Sequence, residues 1–236
     1  MEIPVFITYR SVYQNIYFLY TVGMELGRSL LITYGLSRRK IIKLAVFCVL
    51  ATFMNLLLSA FVMNFLRFPL FLDTVFTAAI AFSAGLVPGI FVAVLTWLIP
   101  CVFHKSITFF VICSIAEVLL ICALKPPAPD IPDFASKEKI MSSYTSLASK
   151  LFLLYILCVI TISVLGGAVN YIMQLYIEEH SRYFSVDDTF KPGLIIYNLP
   201  ALAINILSRI PVNIVDRFIV IFGGYFISRG LVKFMR

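Results

Sequence analysis

Two long runs without a charged side chain, Leu44–Leu66 and Thr74–Phe103, constrain this chain more than any other feature of it. A helix crosses the ~30 Å hydrocarbon core of a bilayer with about 20 mostly apolar residues. Backbone polar groups in lipid are satisfied only within helices or closed barrels. Leu44–Leu66 fits one crossing. As one helix, Thr74–Phe103 would be roughly 45 Å long at ~1.5 Å per residue. Its middle reads Gly85-Leu86-Val87-Pro88-Gly89, a helix-breaking turn. The run therefore splits into two short helices joined by a tight turn.

Further apolar stretches follow. Ser106–Leu124 carries one charge, Glu117, and Leu151–Ile177 carries none. Pro192–Ser208 is uncharged but short, and Pro211–Leu231 has Asp216 and Arg217 near its start. The segment from about Ser11 to Tyr34 is apolar and aromatic but holds Glu25 and Arg28, which share a helix face and could pair. It is expected to lie along the interface, with a seventh crossing as the alternative. The polar interruption Lys125–Lys150 opens on Pro126-Pro127-Ala128-Pro129 and reads as a loop or an amphipathic surface segment, not a domain. The expected fold is thus an all-α membrane protein with about six transmembrane helices. Residues 1–40 form an N-terminal interfacial helix or extra span, and residues 41–236 form the membrane domain with a cytoplasmic loop at 125–150.

Composition agrees. Of 236 residues, 61% are hydrophobic and 13% charged, against about half and a quarter in soluble domains. Mean hydropathy is +0.99. The start, Met1-Glu2-Ile3-Pro4, lacks the basic flank of a cleavable leader, so insertion through the chain's own helices is expected. The net charge of +7 follows from cations beside apolar spans rather than from a basic groove, so nucleic acid is not an expected partner. Three basic clusters stand out: Arg38, Arg39, Lys40 and Lys43; Lys125, Lys137, Lys139 and Lys150; Arg229, Lys233 and Arg236. All three fall on the cytoplasmic side if six stretches cross: Leu44–Leu66, both halves of Thr74–Phe103, Ser106–Leu124, Leu151–Ile177 and Pro211–Leu231. Pro192–Ser208 must then enter and return or lie on the outer face, and Glu178 to Asp188 falls outside. The expectation is a multi-pass protein of the cell membrane with both ends cytoplasmic.

Enzymatic signatures are missing. No HExxH, GxSxG, Walker A or GxGxxG occurs, and the SxxK at Ser136 to Lys139 lies in the polar loop without a partner motif. His104 and His180 stand alone, and the five cysteines, Cys48, Cys101, Cys113, Cys122 and Cys158, sit in apolar stretches without a CxxC pair. Neither a metal site, a cofactor nor a catalytic residue is expected.

Polar groups at membrane depth are costly, which makes them candidates for function as well as for helix packing. Thr52, Asn55 and Ser59 share a helix face, as packing groups or as a substrate-facing stripe. Asp73 and Thr74 open a span as a helix cap or a ligand contact. Glu117 could accept a ligand hydrogen bond, relay a proton, or sit protonated and buried. Asn198, Asn205, Arg209, Asn213, Asp216 and Arg217 form the densest polar group, with Pro200 and Pro211 expected to break the helix there. Trp97, the only tryptophan, is an interfacial anchor or a stacking platform.

These residues also carry a resemblance. Phe71-Leu72-Asp73-Thr74, Gly85-Leu86-Val87-Pro88-Gly89 and Leu95-Thr96 are similar to the "LDT…GP.G…LT" pattern of substrate-binding S components of energy-coupling-factor transporters and of related bacterial membrane sensors. Ile210-Pro211-Val212-Asn213-Ile214-Val215-Asp216, followed by Gly224-Tyr225, resembles their last-helix pattern. The resemblance covers roughly Ile41 to Lys233. It implies six helices, cytoplasmic ends and a site for a vitamin or similar solute opening outward. It also implies a membrane coupling subunit and cytoplasmic ATPases as partners, beside membrane lipid. The chain departs from the family at the Ala-xxx-Ala docking pattern of the first span, where Cys48-xxx-Thr52 stands, and in its N-terminal extension.

The leading expectation is a non-enzymatic binding subunit for ATP-driven uptake of a small-molecule ligand. Its site is expected to be lined by Asp73, Thr96, Glu117, Asn170, Asn205, Asn213 and Asp216. The alternative is a ligand-sensing or scaffold domain acting with a separate signalling partner, since no kinase or cyclase domain is read in the chain. A third reading is an intramembrane enzyme using Glu117 or Asp216 on lipid.

Overall fold

The computed structural model describes residues 38–66, 70–104, 109–126, 137–176 and 191–235. The segment Ser11–Tyr34, the pair Glu25 and Arg28, His180 and the acidic stretch from Glu178 to Asp188 lie outside the described residues. The chain divides into two compact units, residues 1–47 and 48–234, and only the opening turns of one helix are described in the first. Everything below concerns the second.

Among the described residues the chain is helical, without a strand. Helix α1, Arg38–Phe61, continues into a π-helical turn, Val62–Leu66. Helix α2 is Val75–Ala84 and helix α3 is Leu86–His104. Helix α4 is Val111–Leu124, and helix α5, Lys137–Tyr176, is 40 residues long. A short α6, Lys191–Ile195, precedes α7, Ala201–Leu207, and α8, Ile210–Phe218. A second π-helical turn, Ile219–Gly223, leads into α9, Gly224–Met235.

Three helical runs, Arg39–Phe65, Glu138–Tyr176 and Ala201–Phe234, are long and apolar enough to cross a membrane; Val75–Ala84, Leu86–Cys101 and Val111–Leu124 are apolar but shorter. Burial points the same way. Large apolar side chains such as Phe53, Phe152 and Ile160 are each 56% exposed, while Glu117 is 1% and Asp216 0% exposed. In water such exposed apolar faces are liabilities; in lipid they face a solvent as apolar as themselves, and the polar groups turn inward.

The expected split of Thr74–Phe103 is present and sharper than the motif suggested. The break is at Gly85 alone, whose φ of 94° is open to glycine at no steric cost. Its N–H closes α2 on the Ala81 carbonyl at 3.1 Å. Pro88 falls within the first turn of α3, where a missing N–H leaves no bond unmade.

Helix α2 is about 15 Å long at ~1.5 Å per residue and is packed on nearly every side. Val75, Thr77, Ala78, Ala79, Ile80, Ala81 and Phe82 are all buried, against α3, α4 and the second π-helical turn. Its three buried alanines, Ala78, Ala79 and Ala81, let neighbouring backbones approach closely, the packing mode that holds helices together in lipid.

Two expectations shift. The second half of the polar interruption, from Lys137, is the beginning of α5. Its residues 138–150 are mostly exposed, and a buried stripe at Leu151, Leu154, Tyr155, Cys158, Val159 and Ile162 begins where the uncharged run begins. The other shift concerns Pro192–Ser208, which the sequence set apart from the last span. From Ala201 it runs into that span as one apolar helical stretch reaching Phe234. Pro200 is the N-cap of α7 and Pro211 sits in the first turn of α8, so both prolines start helices rather than break them. Backbone bonds from Ser208 N–H to the Ile204 carbonyl (3.0 Å) and from Asn213 N–H to the Arg209 carbonyl (2.9 Å) carry the chain through the joint.

Candidate functional site

Three buried polar groups hold the bundle, and the expected site residues divide among them. The first is centred on Arg217, in the last turn of α8. Its Nη1 donates to Oε2 of Glu117 on α4 at 2.6 Å and to Oγ1 of Thr74 at 3.2 Å. Its Nη2 donates to Oδ2 of the adjacent Asp216 and to the Phe71 carbonyl at 3.5 Å. All of Thr74, Glu117, Asp216 and Arg217 are buried. Asp73, partly buried in the turn that precedes α2, is close enough to feel the charge of Arg217. Burial pushes its carboxyl up to about 7, against the pull of that guanidinium. The LDT turn, the single charge of α4 and the Asp-Arg pair of α8 thus meet at one point.

The cluster is incompletely satisfied. Glu117 Oε1, Asp216 Oδ1 and Arg217 Nε are all buried without a hydrogen-bond partner. Two buried acceptors and one buried donor left bare are the polar atoms a ligand or ordered water would complete.

The second group is centred on Asn55 of α1. Its Nδ2 donates to Thr77 Oγ1 on α2 at 2.8 Å and to Thr96 Oγ1 on α3 at 3.3 Å, and its Oδ1 accepts the Phe76 N–H at 2.9 Å. Asn55 therefore satisfies a free amide in the first turn of α2. Capping of that helix by Asp73 is not found: Thr74 is the N-cap residue, and it makes no side-chain cap bond. Of the Thr52, Asn55 and Ser59 stripe, only Asn55 reaches other helices. Thr52 bonds the Cys48 carbonyl one turn back, and Ser59 reaches Met63 Sδ at 3.9 Å.

The third group joins α5 to α7 and α8. Asn170 Nδ2 donates to Asn205 Oδ1 at 2.8 Å, and Asn205 Nδ2 donates to Gln174 Oε1 and the Ala201 carbonyl, both at 3.0 Å. Asn213 Nδ2 donates to Ser163 Oγ at 2.9 Å, and the Tyr155 hydroxyl to the Ile214 carbonyl at 3.1 Å. Gly167 makes this crossing possible, since a Cβ there would lie 2.7 Å from Ile206 Cα and 2.8 Å from Ile206 N.

Of the seven expected site residues, Asp73, Glu117 and Asp216 come together around Arg217. Thr96 lies in the Asn55 group, and Asn170, Asn205 and Asn213 lie in the third, each hydrogen-bonded to another helix. Arg217, seen in the sequence as one of a polar cluster, is the hub that links Glu117 and Asp216, with Asp73 near enough to feel its charge; its signal was being the cation beside Asp216 within an apolar run. Trp97 bridges α3 to α4 through Nε1 to Ser114 Oγ at 2.8 Å. Its ring lies 6.1 Å from that of Phe110, which carries the Arg209 guanidinium 4.7 Å from its centroid. Among the described residues no three His, Cys, Asp or Glu side chains converge to hold a metal ion. Comparison of the chain with protein-family models, with curated proteins and with solved structures finds no match.

Proposed function

We propose that the chain is a membrane substrate-binding subunit of the S-component type, taking up a vitamin or similar small organic solute with energy supplied by separate ATPase and coupling subunits. One observation carries the reading. The two stretches that resemble the family, Phe71–Thr74 and Ile210–Asp216, meet with Glu117 at the Arg217 cluster, where Glu117 Oε1, Asp216 Oδ1 and Arg217 Nε are buried and bare. A few oriented polar atoms in an apolar surround are what select a small solute. Six crossings, cytoplasmic ends and residence in the cell membrane belong to the same proposal. The test is thermal stability of the detergent-purified chain against a vitamin panel. A panel member that raises the melting temperature or co-purifies supports the reading; a panel without effect removes it.

The second reading, a ligand-sensing or scaffold protein, draws on α5. At ~1.5 Å per residue its 40 residues span roughly 60 Å, about twice the hydrocarbon thickness. Its exposed first turns are a place where a signalling partner could dock. Pull-down from native membranes separates the two: ATPases and a coupling subunit favour uptake, and a kinase favours sensing.

A further inference from the structure

We infer that the solute held at the Arg217 cluster carries a positively charged nitrogen; this rests on the reading of that cluster as a ligand site. The charges at the cluster are unequal. Two buried carboxylates, Glu117 and Asp216, share one guanidinium. The next buried cation on the same helical run, Arg209, precedes Arg217 by two helical turns, about 12 Å, and stacks on the Phe110 ring. The charged groups facing the cluster are therefore Asp73 from the turn before α2, Glu117 from α4, and Asp216 and Arg217 from α8, with Arg209 farther along.

The bare atoms agree with the charge. Each of the two fully buried carboxylates gives one oxygen to Arg217 and keeps the other, Oε1 or Oδ1, without a partner. A protonated or quaternary nitrogen would satisfy both by hydrogen bonds or by direct charge contact. A carboxylate or phosphate would meet two oxygens of its own sign, against a single bare donor, Arg217 Nε, among the described atoms of the cluster. Among the described residues no group of three His, Cys, Asp or Glu is placed to hold a metal ion, and two carboxylates with a guanidinium already between them suit an organic cation better than a bare metal ion. The bare Nε–H would take an acceptor elsewhere on the same solute.

The experiment uses the full chain in detergent, with thiamine and pyridoxamine as cationic probes, biotin and pantothenate as anionic probes and riboflavin as a neutral one. The expected result is a rise in melting temperature with a cationic probe and none with the anionic ones. Glu117→Gln, which keeps the side chain's size, should weaken the cationic probe roughly tenfold or more, as expected for loss of a charge-assisted contact. Should that variant fail to fold, the ranking on the unaltered chain still decides. Stabilisation by an anionic or neutral probe alone overturns the inference and leaves the uptake reading standing. No response to any probe overturns both, and unchanged cation affinity in a folded Glu117→Gln overturns the inference by itself.

Discussion

The guanidinium of Arg217 uses both terminal nitrogens, on Glu117, Thr74, Asp216 and the Phe71 carbonyl, and is 4% exposed. A charge this deep is tolerated only when opposed, and removing one partner of a buried pair typically costs about 3–5 kcal/mol. Asp73 lies in the turn outside the helices and has no such anchoring bond to Arg217 among those found. Because its carboxyl is raised to about 7 from an ordinary value of 3.8, folding favours its protonated form. Stability is unaffected by Asp73 below about pH 4, falls as pH rises toward 7, and carries the full penalty above. Asp73→Asn should therefore raise the melting temperature at pH 8, with a gain that shrinks as the pH is lowered to 5. Melting curves of the detergent-purified variant across that range check it; a gain that grows toward pH 5 would contradict the assignment.

At the scale of elements, the crossing of α5 with α7 is held by polar bonds and by the absence of a side chain. The Asn170–Asn205–Gln174 chain fixes the register of the two helices, and Gly167 lets Ile206 approach. A Cβ there would meet the backbone of Ile206 as well as its side chain, and since the backbone cannot swing aside the helices must separate. Gly167→Val should destabilise by about 1–3 kcal/mol, the usual cost of overpacking, and loosen the asparagine bonds with it. Amide hydrogen exchange along α7, faster in the variant than in the parent chain, is the measurement. Helix α2 makes the complementary point: its alanines allow the second π-helical turn to pack against it, and the cap on its Phe76 amide comes from Asn55 on another helix.

For the whole molecule, the distribution of charge and of exposed apolar surface is the guide. Lys139 and Lys150 are exposed on the opening of α5, and Lys233 closes α9 in its last turn. If both follow the positive-inside bias, reporter fusions at Ser146 and at the C-terminus will report the same, cytoplasmic side. Opposite sides would remove an even number of crossings between them and with it the six-span arrangement.

Much of this was legible before any coordinates. Uncharged runs longer than a bilayer is thick leave helices as the economical solution, because an unpaired peptide group has no water to turn to; Gly85 marked the α2–α3 joint because a positive φ is cheap only without a Cβ. The same residues could not say where a helix would continue past its apolar part, which is why Lys137–Lys150 proves to be the opening of α5 and Ala201–Leu207 runs into the stretch that reaches Phe234. Least legible was the site. Asp73, Glu117 and Asp216 are separated by dozens of residues, and their meeting depends on which face of α2, α4 and α8 turns inward, a matter of packing rather than of local pattern. The chain alone determined that its few polar groups would be expensive in lipid; the tertiary structure decided that Arg217 would pair with both Glu117 and Asp216, while the asparagines would bond helix to helix.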